Sequence, residues 1–199
     1  MSTSQSIHRP DGSLISYAIQ GDSQKPALVL SNSLATDRGM WQLVLPQLLQ
    51  DYLVITYDTR GHGLSRCAPN NIQLTDLAED VIAILDSANI QKAFFAGISL
   101  GGMTGLTMAL HHPDRLMGLI ACNCRGRIDA AGIEAWNQRI EVARKGGGMH
   151  ALAESSISRW FSKDYIDAKP ELMKKMAEIV SKNSVDGFES CIQIGRAHV

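Results

Sequence analysis

The sequence predicts an α/β fold in which a mostly parallel sheet is flanked by helices. Two observations lead to this prediction. Short apolar runs alternate with helix-like stretches along much of the chain. The later runs are apolar almost throughout, as strands covered on both faces must be. The length of 199 residues suits one domain with a small excursion.

Five apolar runs are predicted to be strands. In chain order they read SLISYAI, PALVLSNS, YLVITYD, KAFFAGIS and MGLIACN. The first two are separated by the turn-forming pair Gly21-Asp22. The chain is therefore expected to open with an antiparallel hairpin made of these two strands and to continue with parallel ones.

Helices are predicted over residues 41–49, 74–87 and 102–111. In the second of these, Leu74, Leu77 and Val81 recur at helical spacing above an acidic face. This pattern is typical of an amphipathic helix that packs on a sheet. Each predicted helix can serve as the crossover between two parallel strands.

The pattern changes from strands to helices after residue 124. A glycine run at residues 146–148 precedes predicted helices over residues 151–161 and 171–182. We therefore divide the chain into the N-terminal part of an α/β core, residues 1–124, and a helical cap, residues 125–193. No strand is predicted in the cap, so the sheet is expected to lack its C-terminal strands.

Composition and charge favour a small-molecule partner. Lys and Arg number 19 and Asp and Glu 20, a balance that does not favour nucleic acid or an acidic membrane surface. The N-terminal segment lacks the layout of a signal peptide and no apolar run reaches bilayer length, so we expect a cytoplasmic protein. The four cysteines lack the spacing of a disulfide framework or zinc site, and no metal or cofactor is predicted. Nothing in the sequence points to a particular oligomeric state.

The clearest chemical signal is AGISLGG, a G-x-S-x-G pattern centred on Ser99. It directly follows a predicted strand and directly precedes a predicted helix. At such a turn the serine is held in a strained conformation that exposes its hydroxyl, and the flanking glycines avoid collisions. The pattern predicts the α/β-hydrolase fold with Ser99 as the catalytic nucleophile. The alternative is a tight glycine turn that happens to contain serine.

A tetrahedral intermediate on Ser99 needs two N–H donors directed at its oxygen. The residue after the nucleophile supplies one, and the loop after an earlier strand supplies the other. These are predicted to be the backbone N–H groups of Leu100 and Leu34, the latter in the loop SNSLATD. The alternative for this loop is an ordinary turn capped by its own polar side chains.

The chain offers no convincing general base for Ser99. His62, in YDTRGHGLS, precedes the nucleophile, whereas in this fold the order is nucleophile, acid, histidine, so a structural role is expected for it. The histidines after Ser99 stand at positions 111, 112, 150 and 198, at a helix end, in the cap and in the tail. The acid and histidine of a triad are therefore expected to be absent, and the chain by itself to be inactive.

Five segments together resemble the 3-oxoadipate enol-lactone hydrolases of aromatic catabolism. They read SNSLATDRGMW, YDTRGHGLS, GISLGGMTG, ACNCRGRI and WNQRIEVARKGGGM. The resemblance implies opening of an enol-lactone to 3-oxoadipate, in the β-ketoadipate pathway, through a serine acyl-enzyme and without a cofactor. The alternatives are another serine α/β-hydrolase, such as a carboxylesterase or a cofactor-free haloperoxidase-like enzyme, and a non-catalytic fragment.

The substrate that the resemblance implies carries a free carboxylate, so the cap should supply a cation. Arg139, one helical turn after Trp136, is the candidate, with Arg127 and Arg144 behind it. The alternative is that these arginines are merely solvated and that Trp136 belongs to the core of the cap. Residues 194–199 break the resemblance abruptly and are predicted to be an artefactual tail.

Overall fold

The computed structural model of the chain describes residues 4–68, 72–126 and 129–194. Arg127, His198 and the rest of the predicted tail from residue 195 lie outside them. Ile194, the first residue of that predicted tail, is buried at the end of the last helix.

One mostly parallel sheet of six strands organises the described residues, in the order β1-β2-β4-β3-β5-β6. The pairs β3–β4, β3–β5 and β5–β6 are parallel, whereas β1–β2 and β2–β4 are antiparallel. The strands are β1 (Gln5–His8), β2 (Leu14–Gln20), β3 (Ala27–Ser31), β4 (Leu53–Tyr57), β5 (Ala93–Ile98) and β6 (Leu116–Cys122).

The antiparallel opening exists, but its pairing differs from the prediction. β2 pairs with β1 and β4, not with β3, so the predicted hairpin of the first two apolar runs was wrong. β3 is buried along its whole length and lies inside the sheet between β4 and β5, as a strand apolar on both faces should. The hairpin partner of β2 is the polar four-residue strand β1, whose sequence contains no apolar run that would predict a strand.

Capping side chains and proline explain where some of the helices begin and end. The described residues contain α1 (Leu45–Leu48), α2 (Leu74–Ser87), α3 (Leu100–His111), α4 (Ala130–Lys145), α5 (Ala153–Trp160), α6 (Lys163–Ala168), α7 (Pro170–Lys182) and α8 (Val185–Ile194). α2 confirms the predicted bounds, and a capping box of Gln73 and Asp76 starts it. The predicted helix over residues 41–49 is instead a 3₁₀ turn, Arg38–Trp41, followed by the short α1, because Pro46 suits only a first helical turn.

Alternating side chains of the central strands cover both faces of the sheet. Val29 and Ile55 face a cluster that includes residues of α2 and α3. Leu28 and Val54 face a second cluster with Trp41 and residues of α1. This two-sided burial fixes the strand order and holds the carboxyl ends of β3 and β5 side by side.

Helices α4 to α8 form a helical region, Ala130–Ile194, that packs on loops at the carboxyl ends of the strands. Many of its buried side chains share one apolar cluster with Leu34, Leu100 and the start of α2. Gly187 of α8 lies so close to Gly61 that a Cβ on either would overlap the backbone of the other. All four cysteines are free thiols. No helix of the described residues has both the length and the apolar composition needed to cross a membrane.

Candidate functional site

Ser99 occupies the tight turn between β5 and α3. Its backbone has φ 55° and ψ −111°, a conformation that non-glycine residues rarely adopt. The Ser99 N–H donates to the carbonyl of Cys122 at 2.9 Å, and the Ser99 carbonyl accepts from Met103 N–H at 3.0 Å. The neighbouring strand and the first turn of α3 therefore hold the strained residue in place.

The glycines around Ser99 are required by close backbone contacts. A Cβ at Gly97 would overlap the carbonyl of Gly101, and a Cβ at Gly101 would overlap the carbonyl oxygen of Ser31 in β3. Gly101 N–H also donates to the Asn32 carbonyl at 3.0 Å. The turn thus packs directly on the end of β3, the strand from which the Leu34 loop departs.

Four of the five predicted site residues meet at one cavity of about 40 Å³: Leu34, Ser99, Leu100 and Trp136. Met103, Cys191 and Ile192 complete its lining, and the sequence reasoning missed all three. Met103 lies one helical turn after Ser99, so helical spacing could have found it. Cys191 and Ile192 come from α8, and no local pattern links that helix to Ser99.

Two backbone N–H groups at this cavity have no acceptor among the described residues. Within the described part of the chain, neither the Leu34 nor the Leu100 N–H donates a hydrogen bond. Leu100 is the first residue of α3, where a helix leaves its N–H groups unpaired. Such groups carry partial positive charge and can stabilise an anionic oxygen.

The Leu34 loop is held from inside the protein. Ala35, the next residue, has φ 65°, and its N–H donates to Nε2 of the buried His62 at 3.1 Å. The other ring nitrogen, Nδ1, lies 2.9 Å from the Arg60 carbonyl and donates to it, because Nε2 is occupied as an acceptor. Burial lowers the pKa of His62, which favours this neutral form. Both ring nitrogens are thus engaged by backbone groups.

The Ser99 hydroxyl makes no hydrogen bond to any described residue. His112, the residue after the end of α3, instead contacts Glu79 through Nε2 at 2.7 Å. No histidine or carboxylate among residues 4–68, 72–126 and 129–194 is hydrogen-bonded to Ser99. Across the same ranges, no three His, Cys, Asp or Glu side chains form a group that could bind a metal ion.

Arg139 does not line the cavity but contacts Trp136, which does. Its guanidinium carbon lies 4.9 Å from the ring centre of Trp136 and 5.5 Å from that of Phe188. Nη2 donates to Ser156 Oγ at 3.0 Å, and no described carboxylate pairs with it. Burial, with a smaller effect from the charge of Arg159, lowers the pKa of Arg139 to about 10, so it stays cationic at neutral pH. Arg144 instead pairs with surface carboxylates of α8.

Comparisons with known proteins agree with this fold. Residues 26–141 match the family model described as alpha/beta hydrolase fold. Two relatives from Acinetobacter baylyi are 3-oxoadipate enol-lactonase 2, 37% identical over 90% of this chain, and 3-oxoadipate enol-lactonase 1, 38% identical over 97%. The solved enol-lactonase from Burkholderia xenovorans LB400 superimposes with a TM-score of 0.86 at 36% identity, over 92% of this chain.

The chain is shorter than each of these proteins. It spans 66% and 71% of the two Acinetobacter enzymes and 71% of the Burkholderia chain. The family match nevertheless includes both the Leu34 loop and the Ser99 turn. The chain therefore belongs to the α/β-hydrolase fold family, in the branch that contains the 3-oxoadipate enol-lactonases.

Proposed function

We propose that this protein hydrolyses a lactone or ester through an acyl-enzyme on Ser99. The observation that carries the proposal is the cavity that Ser99 shares with Leu34 and Leu100, whose backbone N–H groups have no acceptor in the part of the chain that the structure describes. The similarity to two 3-oxoadipate enol-lactonases supports the enol-lactone of 3-oxoadipate as the substrate.

In the proposed reaction the Ser99 oxygen attacks the lactone carbonyl carbon, and its proton passes to a base. The resulting oxyanion accepts hydrogen bonds from the Leu34 and Leu100 N–H groups. Collapse of this intermediate breaks the ring C–O bond and releases an enolate oxygen, which is protonated and tautomerises to the ketone. Water then attacks the acyl-enzyme, releasing the carboxylic acid and regenerating Ser99.

No described histidine or carboxylate is hydrogen-bonded to Ser99, so none of them is positioned as the base for the first step. A serine hydroxyl without a base is a poor nucleophile at neutral pH. We therefore propose that residues 1–199 alone turn over substrate at a negligible rate. In the experiments below, the full-length protein means the natural protein that contains these residues.

The proposed substrate carries a carboxylate in addition to the lactone, and Arg139 is assigned to bind it. Trp136 lines the Ser99 cavity, and its ring contacts the Arg139 guanidinium. A half-buried guanidinium that pairs with no carboxylate of the described residues retains donor capacity that a carboxylate of the substrate can use.

The decisive test is Ser99→Ala in the full-length protein. The rate of enol-lactone hydrolysis is expected to fall by roughly 10⁴-fold or more, because the acyl-enzyme cannot form. Circular dichroism and the melting temperature should remain close to those of the parent. A fluorophosphonate probe should phosphonylate the parent chain, with loss of fluoride, and should not label the variant.

The matched control is Ser158→Ala, which removes an exposed hydroxyl bonded only to the Glu154 carbonyl within α5. It should leave both hydrolysis and labelling unchanged. Hydrolysis by Ser99→Ala at the parent rate would remove Ser99 from the reaction and refute the proposal.

A further inference from the structure

We propose that Asn183, at the end of α7, is a positioning residue that sets the direction of the Leu34 N–H. Asn183 lies in the helical region, 148 residues beyond Ala35. This inference rests on the proposed function, because it concerns the N–H group assigned to the oxyanion.

The loop segment that needs positioning is strained. Ala35 follows Leu34 directly, is buried, and has φ 65°. A left-handed conformation in a non-glycine residue persists only where the surroundings hold it. Side chains hold both polar backbone groups of Ala35: His62 accepts from its N–H, and Asn183 Nδ2 donates to its carbonyl at 3.0 Å.

Hydrogen bonds fix the orientation of the Asn183 amide. Oδ1 accepts from Gly63 N–H at 3.1 Å, so Nδ2 is the atom that faces the carbonyls of Ala35 and, at 2.8 Å, Ile179. The side chain therefore connects α7 to the loops that follow β3 and β4. Aspartate cannot replace it, because a carboxylate has no proton for either carbonyl.

Two hydrogen bonds carry the effect of Asn183 from Ala35 to Leu34. Asn183 donates to the carbonyl of the peptide that joins Ala35 to Thr36. The N–H of the same peptide, which belongs to Thr36, donates to the Ser33 carbonyl at 3.2 Å. The Thr36 hydroxyl donates to the same carbonyl at 2.7 Å. The Ser33 carbonyl and the Leu34 N–H belong to one planar peptide, so holding the first fixes the direction of the second.

Asn183→Ala in the full-length protein tests the inference. Complete loss of an oxyanion donor costs about 10²–10³ in kcat, so misdirecting one should lower kcat by about 10- to 100-fold. KM should change less than about threefold, because the donor acts mainly in the transition state. The affinity for a boronic acid, which forms a tetrahedral adduct with serine, should fall by the same factor as kcat.

Two variants distinguish positioning from a general loss of structure. Ser184→Ala, next in the chain, removes an acceptor of Gly187 N–H and should leave kcat unchanged. Asn183→Asp keeps the acceptor for Gly63 and loses only the donors, so it should lower kcat as Asn183→Ala does. A parent-like kcat in Asn183→Asp would overturn the inference. So would an equal loss of affinity, in the Asn183 variants, for the boronic acid and for the product 3-oxoadipate.

A folding defect in both Asn183 variants would still leave a test. Thr36→Val keeps the backbone bond but removes the hydroxyl that holds the Ser33 carbonyl. It should lower kcat and boronic acid affinity together by several-fold, and an unchanged kcat would overturn the inference. Parent-like hydrolysis by Ser99→Ala refutes the proposed function. If Ser99 is essential but the Asn183 and Thr36 variants keep the parent kcat, only the role of Asn183 is refuted.

Discussion

At the scale of single residues, Arg139 is a cation that contacts two aromatic rings and a hydroxyl and pairs with no carboxylate of the described ranges. Trp136 and Phe188 contact its guanidinium, and Ser156 accepts one of its hydrogen bonds. Aromatic faces attract the cation but offer no counter-charge. Arg139 is therefore suited to bind an anion at the Trp136 side of the cavity without first breaking an ion pair.

Arg139→Gln in the full-length protein is expected to lower kcat/KM for the enol-lactone by about 10- to 100-fold, mainly through KM. Hydrogen bonds to charged groups contribute about 1.5–3 kcal/mol, which corresponds to this range. The measurement is steady-state kinetics with the enol-lactone and with a neutral ester that lacks the carboxylate.

The control for Arg139 is Arg144→Gln on the same helix, because Arg144 pairs with Asp186 and Glu189 at the surface. It should change kcat/KM by less than a factor of about two, since exposed ion pairs contribute little. An equal loss for the enol-lactone and the neutral ester in Arg139→Gln would mean that the arginine supports packing and not carboxylate binding.

Site residues could be predicted from the sequence where they stand in, or next to, a recognisable motif or strand. Ser99 and Leu100 stand in one motif, and Leu34 directly follows a buried strand. Asn183 could not be found this way, because a polar residue after a helix most often caps that helix. Its contact with Ala35 depends on how α7 packs, which no short segment of sequence specifies.

At the scale of elements, the turn from β5 to α3 depends on the absence of side chains at its glycines. Gly101 faces the carbonyl oxygen and the hydroxyl of Ser31, leaving no room for a methyl group. The obstacle is largely backbone, so a rotamer change cannot relieve it. Helix α3 and strand β3 would have to separate.

Gly101→Ala is accordingly expected to lower the free energy of unfolding by about 3 kcal/mol or more, as overpacking does when the backbone must move. The measurement is urea denaturation, together with fluorophosphonate labelling of Ser99, which should slow. Gly126→Ala is the control, because a Cβ there meets no atom within 4 Å. A parent-like midpoint for Gly101→Ala would show that the turn tolerates a side chain.

Elements with a strong local pattern were the predictable ones. The apolar period of α2 indicates its extent, and the capping box of Gln73 and Asp76 marks its N-terminal end. β1 was missed because it is short and mostly exposed, so its sequence, QSIH, carries no apolar run. The mistaken hairpin has a related cause: proximity in sequence suggested β3 as the partner of β2, but pairing depends on burial across the whole sheet.

At the scale of the whole molecule, a buried ionic network joins the first hairpin, the loop after β4, and α2. Arg60 donates to Asp80 at 2.5 and 2.7 Å and also pairs with Asp11. The Arg9 Nε atom lies 2.9 Å from Oδ1 of Asp80. Removing the shared carboxylate would leave two arginines short of counter-charge, one of them buried.

Asp80→Asn should therefore lower the free energy of unfolding by about 3–5 kcal/mol, the cost of breaking a buried pair on one side. Urea denaturation measures it. Asp86→Asn, on the same helix, removes an exposed carboxylate that pairs with Arg115 and should cost less than about 1 kcal/mol. Similar losses for the two variants would mean that burial adds nothing to the Asp80 network.

The contact between Gly61 and Gly187 limits how this protein can be recombined with its relatives. The two backbones meet without an intervening side chain, so the pair sets the spacing between the helical region and the loop after β4. A chimera that takes the helical region from another enzyme inherits position 187 from one parent and position 61 from the other. Only parents with glycine at both positions should give chimeras that fold, whatever their overall identity.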